Sequence, residues 1–534
     1  MLPLAVLAAA CVFAAMAYLR TPWVDEIWFL DTGVELAKGH GFQNHTMPQL
    51  LDVTPFALNY PLFMLLMAAL TRLWDLNFFV IRGSCFLVTL GACLVFIEAL
   101  RRVGFWASRT VLLLSLLLLL LSDGVMNAGT HARPECLTML VYSLLFWALL
   151  SQCAPPRTPS WPRLTTIALL AALVPWCALH LLLPVGVGLM ITWLLYGYDL
   201  KNLAAVLGGL LLGVASVLFF YYWTHSLETY RLGADLVGGL SLLGRLKERL
   251  VQLVMGEVDW IFWYPHLPRP VIFGWFLVGM GLLAPPPLGM AGPLRKHALA
   301  AFLFSVGTFI GFAIFANAMA WYAAYYYPPI CAILAAWLRQ IFRSRNPAWA
   351  LAIGTLCLGL SLMYALYISK LPRNWWPKMY SGHPPHARVA AFMQESISPQ
   401  DVVVSNESAY YAVRPLAKDW YPLRAVLTLD DRRAASVTKL VLMEDLAKVE
   451  ATYFPESLGL QKNRCLNVPL LLEILSQRWN CSFHDVTEHS AHRGDAGKYR
   501  VYAIVPLEAP LSGPSIPEEY SPQIQSASRR EMDH

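Results

Sequence analysis

Apolar residues in this chain collect into long uninterrupted runs, not into the short alternations of a soluble core. The runs cover residues 2–18, 83–100, 110–122, 136–150, 164–178, 181–196, 202–220, 271–287, 298–316, 325–340 and 348–369. A helix needs roughly 20 residues to cross a bilayer, so the shorter runs must borrow a flanking turn. About 11 spans are expected. Basic residues set their direction. Arg101, Arg102 and Arg109, then Arg157 and Arg163, Lys201, Arg295 and Lys296, and finally Arg339, Arg343 and Arg345 occupy alternate loops. That side is the cytoplasmic one. The alternation holds only if the apolar stretch 57–73 does not cross, so this stretch reads as a juxtamembrane or re-entrant helix. The opposite face then carries loops 19–82, 123–135, 221–270 and 317–324 and everything after 370. The first run is Ala-rich with no base before it, which also suits a cleaved signal peptide.

Beyond residue 370 the pattern changes. Residues 387–393 read as an amphipathic helix ending near Ser398-Pro399, and Asp401–Ser405 as a buried strand. Ala425–Leu429, Lys439–Met443 and Tyr499–Val505 are further strand candidates, with helical stretches between them. Alternating elements of this kind predict a small α/β domain over 371–510, extracytoplasmic by the loop count. The Pro-, Ser- and Glu-rich tail, 511–534, is expected to be disordered. The predicted fold class is thus a polytopic α-helical membrane protein: a transmembrane module over 1–370 with juxtamembrane helices, followed by that domain.

Composition agrees with a membrane chain: 57% hydrophobic, 14% charged, mean hydropathy +0.50. The net charge of +6 comes from bases scattered in loops, so a nucleic-acid surface is excluded. Eight of ten cysteines lie before residue 360 in or beside apolar runs, where thiols pack as small hydrophobes. Cys465 and Cys481 lie in the outer domain, where compartment permits a disulfide. His45, His180, His225 and His266 share no ligand spacing, so neither metal nor cofactor is expected. The sequons at Asn44, Asn406 and Asn480 all fall on the outer side, although such triplets also arise by chance.

The chemistry-bearing residues sit in the outer loops. Trp23-Val24-Asp25-Glu26 opens a helix that stops at Lys38-Gly39-His40-Gly41. Ile27, Leu30, Val34 and Ala37 form its apolar stripe, with Asp25 and Thr32 pointing away toward water or a cavity. Asp25 suits a helix cap and, equally, a general base, since glycosyl transfer must remove a proton from its acceptor. On the outer face no nucleotide sugar is available, which points to a lipid-linked donor. The planar fork of Arg133 is shaped for that donor's phosphate, with Glu135 as a second acid beside it. The pair is also readable as a local ion pair at a helix start, with Pro134 in the first turn. The aromatic run Trp321–Tyr327, holding Tyr325 and Tyr326, serves either as an interfacial belt or as a wall for the lipid and sugar. Loop 221–270 offers Glu257, Asp259, His266 and Arg269 among aromatics without singling one out.

Taken together, these motifs resemble the GT-C superfamily of membrane glycosyltransferases. The likeness is to bacterial relatives of protein O-mannosyltransferases and of the lipid A aminoarabinose transferase. Asp25-Glu26 followed by Leu36-Ala37-Lys38-Gly39-His40-Gly41-Phe42 is similar to that family's opening, and Asn59-Tyr60-Pro61-Leu62 to its "PPL" segment. Ala132-Arg133-Pro134-Glu135 resembles its "ARPD/E" motif, and Tyr325-Tyr326-Tyr327-Pro328-Pro329 its late "RY-x-x-P" segment. The resemblance implies a polyprenyl-phosphate sugar donor, inversion at the anomeric carbon and a bacterial inner-membrane location. It further implies that Asp25 acts on the acceptor, that Glu135 assists, and that Glu26, Arg133, Tyr60, Tyr325 and Tyr326 bind substrate. No Arg or Lys precedes Tyr325, which shifts the phosphate toward Arg133 or a loop residue. A lipid-linked-sugar transporter or a membrane scaffold is the alternative. Transporters, however, place their acids within spans near the midplane, and here the acids gather at the interface.

Overall fold

The computed structural model describes residues 2–19, 24–46, 55, 60–102, 109–120, 122–150, 160–178, 181–196, 200–227, 269–284, 289–290, 292–315, 323–342, 385–426, 429–443, 468–486, 493–494 and 497–507. The chain divides into two compact units. One takes Met1–Arg20, Thr32–Gln43 and Val53–Trp376, the other Thr21–Asp31, Asn44–Asp52 and Pro377–His534.

The first unit is helical. Its described elements begin with α1 (Leu2–Leu19), α2 (Val24–Lys38, shared with the second unit), α3 (Pro61–Trp74), α4 (Phe78–Arg102) and α5 (Arg109–Leu120). They continue with α6 (Asp123–Thr130), α7 (Glu135–Leu150), α8 (Trp161–Cys177), α9 (Leu182–Tyr196) and α10 (Leu200–Trp223). Four more follow: α11 (Arg269–Leu283), α12 (Pro293–Phe315), α13 (Ala323–Tyr326) and α14 (Pro328–Phe342). Among the described residues, Phe78–Arg101 and Leu200–Trp223 are long and apolar enough to cross a membrane, which makes this a membrane protein. Helices α3, α7, α8 and α11 are apolar but shorter. The run 348–369 lies outside the described residues, as do 228–268 of the long outer loop.

Local sequence explains several of these elements. Gly39, at φ 84°, ends α2: its N–H reaches the Leu36 carbonyl at 3.2 Å and that of His40 reaches Glu35 at 3.0 Å. This is a Schellman stop, which needs the left-handed conformation that glycine takes without strain. Pro61 starts α3 behind Tyr60. Phe63, Met64, Met67, Ala68 and Thr71 form the buried face of α3, while Leu65 on the other side and Leu73 and Trp74 at the C-terminal end are exposed. Gly33 of α2 lies so close to α3 that a Cβ there would come within 2.9 Å of the Met64 carbonyl oxygen. Helices α8 and α10 meet along a seam of small residues, Gly209 and Gly213 facing the backbone at Ala168 and Ala172. That four-residue spacing is the usual device for close helix contact in lipid. One expected loop is itself partly helical. Residues 123–130 form α6, which begins after Ser122, whose extended backbone (ψ 136°) breaks the helical path at the polar Ser122-Asp123-Gly124 step.

The C-terminal part of the second unit is an α/β fold. Helices α15 (Pro385–Ser396), α16 (Tyr410–Val413), α17 (Asp431–Ser436) and α18 (Val468–Trp479) accompany a mixed sheet. Its strands are β1 (Val402–Ser405), β2 (Asp419–Pro422), β3 (Lys439–Met443), β4 (Cys481–Asp485), β5 (Arg493–Gly494) and β6 (Gly497–Pro506). The order is β2-β1-β3-β6-β4, with β5 on β6. Strand β1 pairs in parallel with β2 and β3, and β6 runs antiparallel to β3 and β4. The continuous Val402-Val403-Val404 run is buried throughout, as a central parallel strand requires.

One strand reading changes, and one strand was not read. Among the described residues of the expected strand Ala425–Leu429, Ala425, Val426 and Leu429 are not in a strand: a 3₁₀ turn covers Leu423–Ala425, and the strand comes earlier, at Asp419–Pro422. Ala425, Val426 and Leu429 are buried in the domain core, and a short apolar run has the same pattern whether it lines a turn or a strand. Strand β4 carries little β-branched sequence and forms because the long β6 offers it a free edge. Of the cysteine pair Cys465 and Cys481, Cys481 is buried on β4 and Cys465 lies outside the described residues. The tail 511–534 also lies outside them.

Candidate functional site

Helix α2 opens in the second unit with two carboxylates that have no exposed surface, Glu26 and Asp31. Burial of a charge is costly unless it is paired and hydrogen-bonded, so each must be matched. The Tyr411 hydroxyl donates to Glu26 Oε1 at 2.8 Å, and the Tyr410 hydroxyl donates to Asp31 Oδ1 at 2.8 Å. Asp31 Oδ2 accepts the backbone N–H of His45 at 2.7 Å and lies 3.4 Å from His45 Nδ1, an ion-pair distance. Desolvation alone would raise the Asp31 carboxyl. The hydrogen bonds and charge of His45, with the Arg414 guanidinium behind them, outweigh it and hold the pKa below the ordinary value. Arg414 is itself fully buried. Asn44 fixes the chain before His45 by donating from Nδ2 to the Trp28 carbonyl at 3.0 Å. That bond buries the amide of the first sequon.

Asp25 is the second residue of α2, where a carboxylate is favoured by the helix dipole; its side chain lies outside the described residues. The expected apolar stripe is present, with Ile27, Leu30 and Val34 buried. Of the two residues expected to face away from that stripe, Thr32 is buried as well, as are its neighbours Glu26 and Asp31. In the second unit the tyrosine pair covers Glu26 and Asp31. Farther along, Glu35 accepts from or pairs with His40 Nδ1 at 2.7 Å.

In the first unit, Arg133 and Glu135 form a bidentate pair, Nε to Oε2 at 3.1 Å and Nη2 to Oε1 at 2.8 Å. Both are buried, at 3% and 1% exposure. Glu135 occupies the first turn of α7, where the dipole favours an anion, and the Pro134 carbonyl accepts the Thr138 N–H at 3.0 Å. The local-pair reading of these residues is therefore realised. Tyr60 stands half-buried at the start of α3 and packs on the main apolar cluster. Tyr325 and Tyr326 are buried in that cluster, on α13. Tyr325 lies against Phe312, and Tyr326 against Phe309, Phe312 and Trp275.

Sequence reasoning passed over Asp31, Tyr410, Tyr411 and Arg414. The usable signal was an acid at position 31 within a helix whose neighbouring positions are apolar, and a Tyr-Tyr pair inside the apolar stretch Ala409–Val413.

No family model matches the sequence, and no curated protein resembles it. Solved structures do. ArnT from Cupriavidus metallidurans bound to undecaprenyl phosphate superposes with a TM-score of 0.51 at 13% identity, over 96% of this chain and 98% of that one. The apo state of the same protein gives 0.53 at 13% identity, over 93% and 97%. At this identity the likeness is one of fold, end to end.

Proposed function

We propose that this chain, which has the GT-C fold, is a glycosyltransferase that moves a sugar from a polyprenyl-phosphate donor to an acceptor hydroxyl or amine. The reaction takes place at the extracytoplasmic face of a bacterial inner membrane, and the acceptor is a protein, lipid or glycan. Asp25 takes the acceptor proton as the new bond forms to the anomeric carbon. The bond from that carbon to the phosphate oxygen breaks on the opposite side, so configuration inverts and polyprenyl phosphate leaves. Glu135 assists, and Arg133 lies near the donor phosphate. A guanidinium has five N–H donors, so pairing with Glu135 and meeting a phosphate oxygen are compatible roles. Glu26, Tyr60, Tyr325 and Tyr326 complete the substrate contacts.

The observation that carries this reading is the end-to-end fold likeness to a protein crystallised with undecaprenyl phosphate, in a chain that opens its second helix with Asp25-Glu26. The test is direct. Purified full-length protein in detergent is given a panel of polyprenyl-phosphate sugars, and released polyprenyl phosphate is measured by mass spectrometry. Wild type is expected to turn over at least one donor, and Asp25→Asn to lose about 10²–10⁴-fold in rate while still folding and inserting. A folded wild type that binds donor lipid but never releases it would establish the transporter or scaffold reading instead.

A further inference from the structure

We infer that Tyr410 and Tyr411 are positioning residues for the first turns of α2, through which the C-terminal domain sets the geometry of the segment carrying Asp25. This rests on the glycosyltransferase reading above. The two phenols reach Asp31 Oδ1 and Glu26 Oε1, each at 2.8 Å. Their anchor points are five residues apart, which on a helix means about 7.5 Å along the axis and about 140° around it. A helix held at one such point can still roll or tilt. Held at two on different faces, it can do neither.

The phenols themselves are not adjustable. Helix α16 is a single turn with all four residues buried. The Tyr410 ring meets Trp420 edge-on at 4.8 Å, and Trp420 donates from Nε1 to Ser405 Oγ at 2.8 Å. Trp420 belongs to β2 and Ser405 to β1, so the register of the parallel strand pair fixes where the Tyr410 hydroxyl ends. The Tyr411 ring packs on His386 of α15 at 6.1 Å. Hydrogen bonds from phenol to carboxylate are charge-assisted and directional, which suits them to fixing a helix rather than merely covering it.

The test compares Tyr410→Phe and Tyr411→Phe in the full chain, which remove only the hydroxyls, with Tyr499→Phe as control. The Tyr499 hydroxyl donates to Ser408 Oγ at 3.0 Å within the same domain and does not touch α2. In the donor-release assay the first two variants are expected to lose about 10²-fold in kcat, as misorientation does, with donor KM within about twofold. Tyr499→Phe should match wild type. In a Glu26→Leu background, which leaves the Tyr411 hydroxyl no acceptor, Tyr411→Phe should add little further loss, because both changes break one interaction. Amides of residues 26–31 should exchange at least about tenfold faster in both latch variants. Unchanged kcat, losses that multiply in the double variant, or unchanged exchange over 26–31 would each overturn the proposal. If wild type itself releases no lipid, the glycosyltransferase reading fails, and the exchange arm alone decides whether these tyrosines hold α2.

Discussion

Glu135 and Asp31 are both carboxylates with almost no exposed surface, yet the first meets its partner two residues away and the second 379 residues away. Arg133, just before α7, and Glu135, its first residue, bracket Pro134, and this short turn of chain alone brings them within reach. Asp31 depends on a hydroxyl from the C-terminal domain and on the turn that presents His45. A local pair re-forms whenever its helix does. A long-range one exists only when the whole unit is folded, so its stability reports on tertiary structure.

The largest effect should come from breaking the local pair. Arg133→Ala leaves Glu135 buried without its guanidinium and is expected to cost about 3–5 kcal/mol, measurable as a fall in thermal midpoint in detergent. Replacing both, Arg133→Met with Glu135→Leu, should recover most of that loss. Turnover must stay low in this double variant if Arg133 serves the donor phosphate; stability and turnover returning together would reduce the pair to a structural one.

The long-range cluster should respond to acid. Because the Asp31 pKa is held below its ordinary 3.8, its contribution is fully present above that value and is lost as pH falls through the lower folded value. A pH series of thermal midpoints should therefore fall more steeply below about pH 4 in wild type than in Asp31→Asn. At neutral pH the variant should already be less stable by about 1–3 kcal/mol. Equal slopes would show that His45 and Arg414 do not act on this carboxylate.

The smallest effect separates the C-terminal unit's packing from covalent support. Cys481 carries a free thiol whose pKa burial pushes up to about 11. At pH 8 it should alkylate about 10²-fold more slowly than an exposed cysteine and react freely once the domain is unfolded. Protection that reduction abolishes would instead reveal a disulfide.

Much of this molecule was legible before any coordinates. Continuous apolar runs mark lipid-facing helices because no soluble core needs them, and Lys38-Gly39 marks a helix stop because glycine accepts the left-handed turn. The runs of β1 and β3 and the core of β6 were readable for the same reason, being set by neighbours in the chain. Arg133 beside Glu135 already offered the ion pair that forms.

Tertiary structure alone decided the rest. Local pattern favours a strand at Ala425–Leu429, and only the pairing of Val402 with Asp419 places it at Asp419–Pro422. Thr32 looks like the wet side of a helix until other segments bury it. Sequence fixes periodicity and local geometry, which act within a few residues. Which buried acid finds which hydroxyl depends on bringing residue 31 to residue 410, and no local pattern records that distance being closed.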